Sequence, residues 1–158
     1  MIDLERGTVS LRMSRLTLGP ELTLEEFQAG FPCEQIWRSW RPSTGYTWFY
    51  LCDRVFAGDK PFLIDLCFTP DGQLSMVDLY PHLPRDAPKG EPGWSPEAGQ
   101  RNKQLCDRWL EQHCGPVLTQ HRLHTDSRAY LWGELTTYWD PRGGSSGICL
   151  GYHNTTTF

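Results

Sequence analysis

The sequence has no excess of positive charge, no long apolar run and no paired-cysteine metal motif. Each absence closes off a class of function. Fifteen Lys and Arg stand against nineteen Asp and Glu, for a formal net charge of −4. A nucleic-acid surface normally shows a basic excess or stripe, so no nucleic-acid partner is expected. No apolar run approaches the ~20 residues that cross a bilayer. The opening Met1-Ile2-Asp3-Leu4-Glu5-Arg6 holds no apolar core of signal-peptide length. The expectation is a soluble, cytoplasmic chain with no membrane partner.

Six cysteines are present, Cys33, Cys52, Cys67, Cys106, Cys114 and Cys149, but no Cys-x-x-Cys pair occurs among them. Four of them (Cys52, Cys67, Cys106, Cys149) fall inside predicted elements among apolar neighbours. Without a secretory signal they are expected to be reduced thiols packing as small hydrophobes. The sequon Asn154-Thr155-Thr156 carries little weight for the same reason.

Catalytic signatures are equally sparse. No Gly-x-Ser-x-Gly elbow appears, and His113 and Cys114 are neighbours on a predicted helix, pointing about 100° apart. The glycines of Gly143-Gly144-Ser145-Ser146-Gly147 lead into a strand and lack a lysine, so neither a charge nor a helix dipole is there to hold phosphate. Cys114, His121, His124 and Asp126 form the densest set of metal-ligand types, but on a strand His121 and His124 would face opposite sides. No catalytic residue, cofactor or metal is assigned. Asp65 and Asp78 are the best enzymatic candidates. The hairpin register read below places them on opposite faces, with Asp78 closing an apolar face and needing a hydrogen-bond partner from an Arg or Tyr. A structural Asp78 is the favoured reading.

What the chain does have is aromatic mass, 13% of residues with seven Trp, and clear β patterning. Phe62 to Phe68 alternates, Thr69-Pro70-Asp71-Gly72 makes a turn, and alternation resumes through Tyr80. Pairing Phe68 with Leu74 and continuing two by two sets Leu66 against Met76, Ile64 against Asp78 and Phe62 against Tyr80. Residues 46–55 read as a central strand, apolar on both sides, joined through 56–60 to that hairpin in a meander. Earlier, 8–13 with 16–18 make one bent strand or a tight pair. Thr23 and Glu26 form a capping box for a short helix near 24–29. Proline-rich 81–96 is a loop, and Ser95-Pro96-Glu97 starts a helix running to about Cys114, ended by Gly115-Pro116. Its apolar stripe reads as Ala98, Asn102, Leu105 and Trp109 with Cys106 and Leu110 beside it; Lys103 and Asp107 fall on the wet side. Residues 117–123 suggest another strand, 130–139 a strong one, and 148–152 the closing strand.

These elements predict a single α+β domain over 1–158. It has a mostly antiparallel sheet of about six strands, the 96–114 helix on one face and the short capped helix near 24–29.

Residues 33–45 show no clean period, yet Trp37, Arg38, Trp40 and Arg41 crowd into five positions there. Trp and Arg are the side chains most enriched at binding hot spots, so these four are the candidate partner-binding residues on an irregular loop, with Arg142 as a further cation. The competing reading has one Trp plugging the core and the arginines solubilising the loop.

Three pieces carry a resemblance: Leu22-Thr23-Leu24-Glu25-Glu26-Phe27, the Phe62-to-Leu79 hairpin, and the closing Trp132-Gly133-Glu134 … Tyr138-Trp139-Asp140-Pro141-Arg142-Gly143-Gly144-Ser145-Ser146-Gly147-Ile148 … Tyr152 hairpin. Together they resemble small α+β immunity proteins encoded beside bacterial polymorphic and type VI secretion toxins. The resemblance implies a non-enzymatic protein that binds and inhibits a cognate toxin domain. It implies no catalytic or contact residue, because toxin-facing surfaces differ from case to case. Two other classes stay open: a small metal- or carboxylate-dependent hydrolase using Asp65, Asp78 or His82, and a carrier of a small apolar ligand in an aromatic-lined cavity.

Overall fold

A computed structural model describes residues 2–12, 14–52, 62–81 and 95–153. The 56–60 connection, His82, most of the proline-rich loop and the 154–156 sequon lie outside these residues.

Eight strands form one antiparallel sheet. They are β4 (Ile36–Trp40), β5 (Thr47–Leu51), β6 (Phe62–Phe68), β7 (Leu74–Pro81), β8 (Gln120–His121), β9 (Thr125–Tyr130), β10 (Gly133–Trp139) and β11 (Ser146–Tyr152). Their spatial order is β4-β5-β6-β7-β11-β10-β9-β8. The early residues form a separate three-stranded sheet of β1 (Ile2–Asp3), β2 (Thr8–Ser10) and β3 (Thr17–Leu18). The α+β class and the antiparallel pairing match the sequence reading; about six strands was too few.

Two of the additional strands were hidden by breaks in alternation. β9 falls mostly in 124–129, which the sequence reading assigns to no element, and its last residue, Tyr130, joins β10 in that reading because Tyr130 and Gly133 keep the period going through a tight turn at Leu131 and Trp132. β4 was masked by a bulge: Ile36 pairs with Leu51 and Arg38 with Tyr50, so Trp37 is an extra residue.

The meander β5-β6-β7 stands as expected. Its turn is closed by Gly72 N–H to Thr69 O at 2.9 Å, and Gly72 takes φ +84°. Phe68 pairs with Leu74 as read. A second bulge then places Cys67 opposite Met76 and moves every later pair by one residue. Ile64 therefore meets Leu79, Leu66 meets Val77, and Asp65 meets Asp78. One slip of register exchanges faces. The corrected apolar face is more uniform than the expected one, because Asp78 leaves it and Val77 and Leu79 enter.

That core face, with Ile64, Leu66, Val77, Leu79, Leu135, Ile148 and Leu150 almost fully buried, is covered by two helices. Helix α1 (Leu24–Gly30) has the capping box: Glu26 N–H donates to Thr23 Oγ1 at 3.2 Å and Thr23 N–H to Glu26 Oε2 at 3.0 Å. It sets Phe27 against Phe49 and Phe68, ring centroids 4.9 and 5.5 Å away. Helix α2 (Pro96–Cys114) starts at the Ser95 cap with Pro96 in its first turn. It lies chiefly on β10 and β11, and Trp109 meets Phe62 edge-on at 5.0 Å. Its buried stripe is Gly99, Cys106, Trp109 and Leu110; Cys106, Trp109 and Leu110 are as expected, whereas Ala98, Asn102 and Leu105 are only partly buried. Gly99 gives Trp139 room: a Cβ there would sit 2.4 Å from the indole. Burial pushes the Cys106 thiol up to about 12, as befits an inert packing group. Ile2, Val9, Leu11 and Leu18 of the N-terminal segment join the same cluster.

Candidate functional site

Because directly opposed residues of an antiparallel pair share a face, register alone defines the other side of the sheet. One row runs Arg38, Tyr50, Asp65, Asp78, Cys149, Thr136, Ser127; the next runs Trp40, Trp48, Cys67, Met76, Gly151, Glu134, Ala129. This outer face is rich in aromatics and mixed in polarity, unlike the core face.

At the β4–β5 end the bulge has a clear consequence. Counted back from Arg38, regular alternation would set Trp37 on the core side opposite Leu51. The extra residue brings it instead to Tyr50, where the rings meet edge-on at 6.5 Å and 88°. Arg38 lies over the same Tyr50 ring at 5.8 Å, a cation–π contact. Tyr46 immediately precedes β5. Trp37, Trp40 and Tyr46 are 56%, 48% and 38% exposed, three of the five exposed large apolar side chains among the described residues. Arg38 and Arg41 are exposed beside them.

The four candidates Trp37, Arg38, Trp40 and Arg41 thus stand together, on a strand and its immediate end rather than on an irregular loop. The reading in which Trp40 plugs the core does not hold. Arg142 does not join them. It lies in the β10–β11 turn, beyond Trp139, five strand spacings from β4, roughly 24 Å at the usual interstrand distance, and off the Ile36 end rather than the Trp40 end. Trp48 and Tyr50 were missed as members of the patch. Their alternation on a two-sided apolar strand marked them, but only the bulge shows which side is shared with Trp37.

Further along the outer face is the pair Asp65 and Asp78. Tyr80 donates its hydroxyl to Asp65 Oδ2 at 2.8 Å and Tyr138 to Asp78 Oδ2 at 2.7 Å. Tyr138 is the hydrogen-bond partner that Asp78 was expected to need. It reaches from β10 because Gly147, its cross-strand neighbour on β11, places no side chain between them. Asp78 Oδ1 is buried without a hydrogen-bond partner. Burial raises the Asp78 carboxyl to about 7, with Tyr138 opposing and the nearby Asp65 charge adding to the rise. The same burial raises the Tyr138 hydroxyl and the Cys149 thiol well above their usual ranges.

On the core side, a charged network pins α2 to the far strands. Lys103 bonds both Asp126 and Asp107 (3.0 Å to the latter), Thr137 donates to Asp107 at 2.5 Å, and His121 Nδ1 lies 2.7 Å from Asp126 Oδ1. Burial opposes charge on Lys103, but the two carboxylates hold its pKa above the usual lysine value. Lys103 and Asp107, read as wet-side residues, are therefore turned inward. A cleft of about 270 Å³ lies beside them, lined by Asp107, Glu111, His121 and Asp126 among Leu110, Val117 and Leu118. His124 is elsewhere, edge-on to Trp139 at 4.8 Å. Among the described residues no group of three or more His, Cys, Asp or Glu is placed to hold a metal ion, and no helix is long and apolar enough to cross a membrane. The six cysteines are free thiols, with Cys33 exposed and Cys67 and Cys106 buried.

Comparison of the chain with protein-family models, with curated protein sequences and with solved structures finds no match in any of the three.

Proposed function

We propose that this chain is a non-enzymatic binding protein of the immunity type, which inhibits a cognate bacterial toxin domain by docking it on the outer face at β4 and β5. The observation that carries this reading is the exposure of Trp37 and Trp40 on a face to which a backbone bulge has re-aimed one of them. Large exposed aromatics bordered by arginines cost solubility, and rigid aromatics with Arg are the residues from which interface hot spots are made. An acidic chain carrying a local positive rim at Arg38 and Arg41 suits a partner with an acidic surface.

The test uses the purified product of the gene adjacent to this one, titrated calorimetrically into the folded chain. Trp37→Ala should weaken binding at least about tenfold, whereas Leu131→Ala, more exposed still but on the β9–β10 turn, should leave it unchanged. Equal affinity for both variants, or no binding by the wild type, would count against the reading.

One observation favours a second class, a carboxylate-dependent hydrolase: the opposed Asp65 and Asp78 with Asp78 titrating near neutrality. Against it, neither carboxylate lines any of the described clefts. A carrier role is less well supported, since the largest described cleft, about 640 Å³, is a surface groove lined by Arg6, Thr8, Leu16 and Leu22 and their neighbours, with no aromatic in its wall.

A further inference from the structure

The two ends of the eight-stranded sheet are treated differently. At one end β8 is only two residues long, Gln120–His121, which is one of the ordinary protections against edge pairing. At the other, β4 offers five residues with no Pro and no Lys, and among the described residues no strand pairs with its outer side. Its bulge lies at Trp37, so Arg38, Ser39 and Trp40 keep regular register with β5. All three are exposed. An open edge of this kind is a template for another strand.

The sequence of the edge says which strand. Two copies of one strand related by a two-fold axis pair antiparallel, and because backbone donors alternate in direction, a symmetric register must centre on a residue. Centring on Arg38 sets guanidinium against guanidinium, and like charges directly opposite destabilise a pair. Centring on Trp40 sets Arg38 against Pro42 of the second copy, which has no N–H to offer. Centring on Ser39 sets Arg38 opposite Trp40 of the second copy and Trp40 opposite its Arg38, while Trp37, displaced by the bulge, falls outside the paired register. Arg38-Ser39-Trp40 is therefore self-complementary in this register: each Arg38 meets an indole. The central pair is two small hydroxyl side chains on the opposite side of the sheet.

We propose that β4 joins β4 of a second copy of this chain, antiparallel about Ser39, to make a symmetric dimer with one continuous sheet. The inference is independent of the toxin-binding reading. The second copy takes the backbone edge, and the outer faces bearing Trp48 and Tyr50 run on across the two-fold and stay open to a partner. A seam this short is small for a protein interface, so the dimer should dissociate on the order of 10 µM.

The experiment has two parts. Sedimentation of the reduced full chain over roughly 1–200 µM should show the weight-average mass rise from 18.2 kDa towards twice that value. In a Cys33→Ser background, Ser39→Cys places two thiols across the axis. Directly opposed Cα atoms about 4.5–5.5 Å apart fall within disulfide range. Mild oxidation should cross-link this variant at least about tenfold faster than Ser43→Cys, which lies off the seam, and adding Arg38→Glu should return it to the Ser43→Cys rate. A monomer at every concentration overturns the proposal. So does a dimer in which Ser39→Cys cross-links no faster than Ser43→Cys.

Discussion

Asp78 on β7 stands directly across from Asp65 on β6, both on the outer face, each held by the hydroxyl of a different tyrosine. Burial favours the neutral form of Asp78 and raises its pKa from 3.8 to about 7 in the folded chain. Between those values the folded chain keeps a proton that the unfolded chain has lost. Stability from this group is therefore greatest below pH ~4, falls as pH rises, and reaches its full penalty above pH ~7, on the order of 4 kcal/mol. The groups facing it are Asp65, Tyr138 and Cys149, as the causes of its shift and the strand register show.

Asp78→Asn removes that ionisation while keeping an acceptor for Tyr138. Urea unfolding should find the variant more stable than wild type at pH 8, with the gain shrinking to nothing near pH 4. A variant no more stable at pH 8 would show that Asp78 is not the buried acid described.

Two glycines that look alike in sequence should respond differently to a methyl group. At Gly133, φ is +152° and an added Cβ would lie 1.9 Å from Gly151 O, a backbone atom of β11 with no freedom to yield. Gly133→Ala should cost at least about 3 kcal/mol. At Gly151 the nearest atom to such a Cβ is Glu134 O at 4.0 Å, so Gly151→Ala should change stability by less than about 1 kcal/mol. Chemical denaturation of both variants tests the pair.

The Lys103 network should behave as a partly buried one. Lys103→Ala leaves Asp107 and Asp126 without their shared cation. The loss should fall between the ~1 kcal/mol of an exposed pair and the ~3–5 kcal/mol of a buried one. It should shrink in 1 M salt, where the Debye length is about 3 Å. A cost near zero at low salt would mean that the strands, not the charges, hold α2 in place.

Much of the fold was legible because its signals are local. The Thr23–Glu26 box, the Ser95-Pro96 start and the Pro70-Asp71-Gly72 turn each need only a few neighbouring residues. What could not be read was set by single extra residues. A bulge at Trp37 scrambled the alternation of β4, and one after the turn brought Asp78 to the face of Asp65, so two carboxylates read on opposite faces stand side by side. The inward turn of Lys103 depended on Asp126 and Thr137, more than twenty residues away. Composition alone marked Trp37, Arg38, Trp40 and Arg41 as a group, and it left open whether Arg142 stands at their end or the opposite one.

The central claim is that the β4–β5 aromatic patch exists to be covered by a partner and not to hold the fold. The most direct measurement pairs two numbers for Trp40→Ala: the unfolding free energy of the free chain, and the affinity for the purified neighbouring gene product below the concentration of self-association. An exposed anchor predicts a stability change within about 0.5 kcal/mol and a binding loss of roughly 2 kcal/mol or more. A variant that loses the ~3–5 kcal/mol of folding stability typical of a core tryptophan, or that binds as tightly as wild type, would contradict the account.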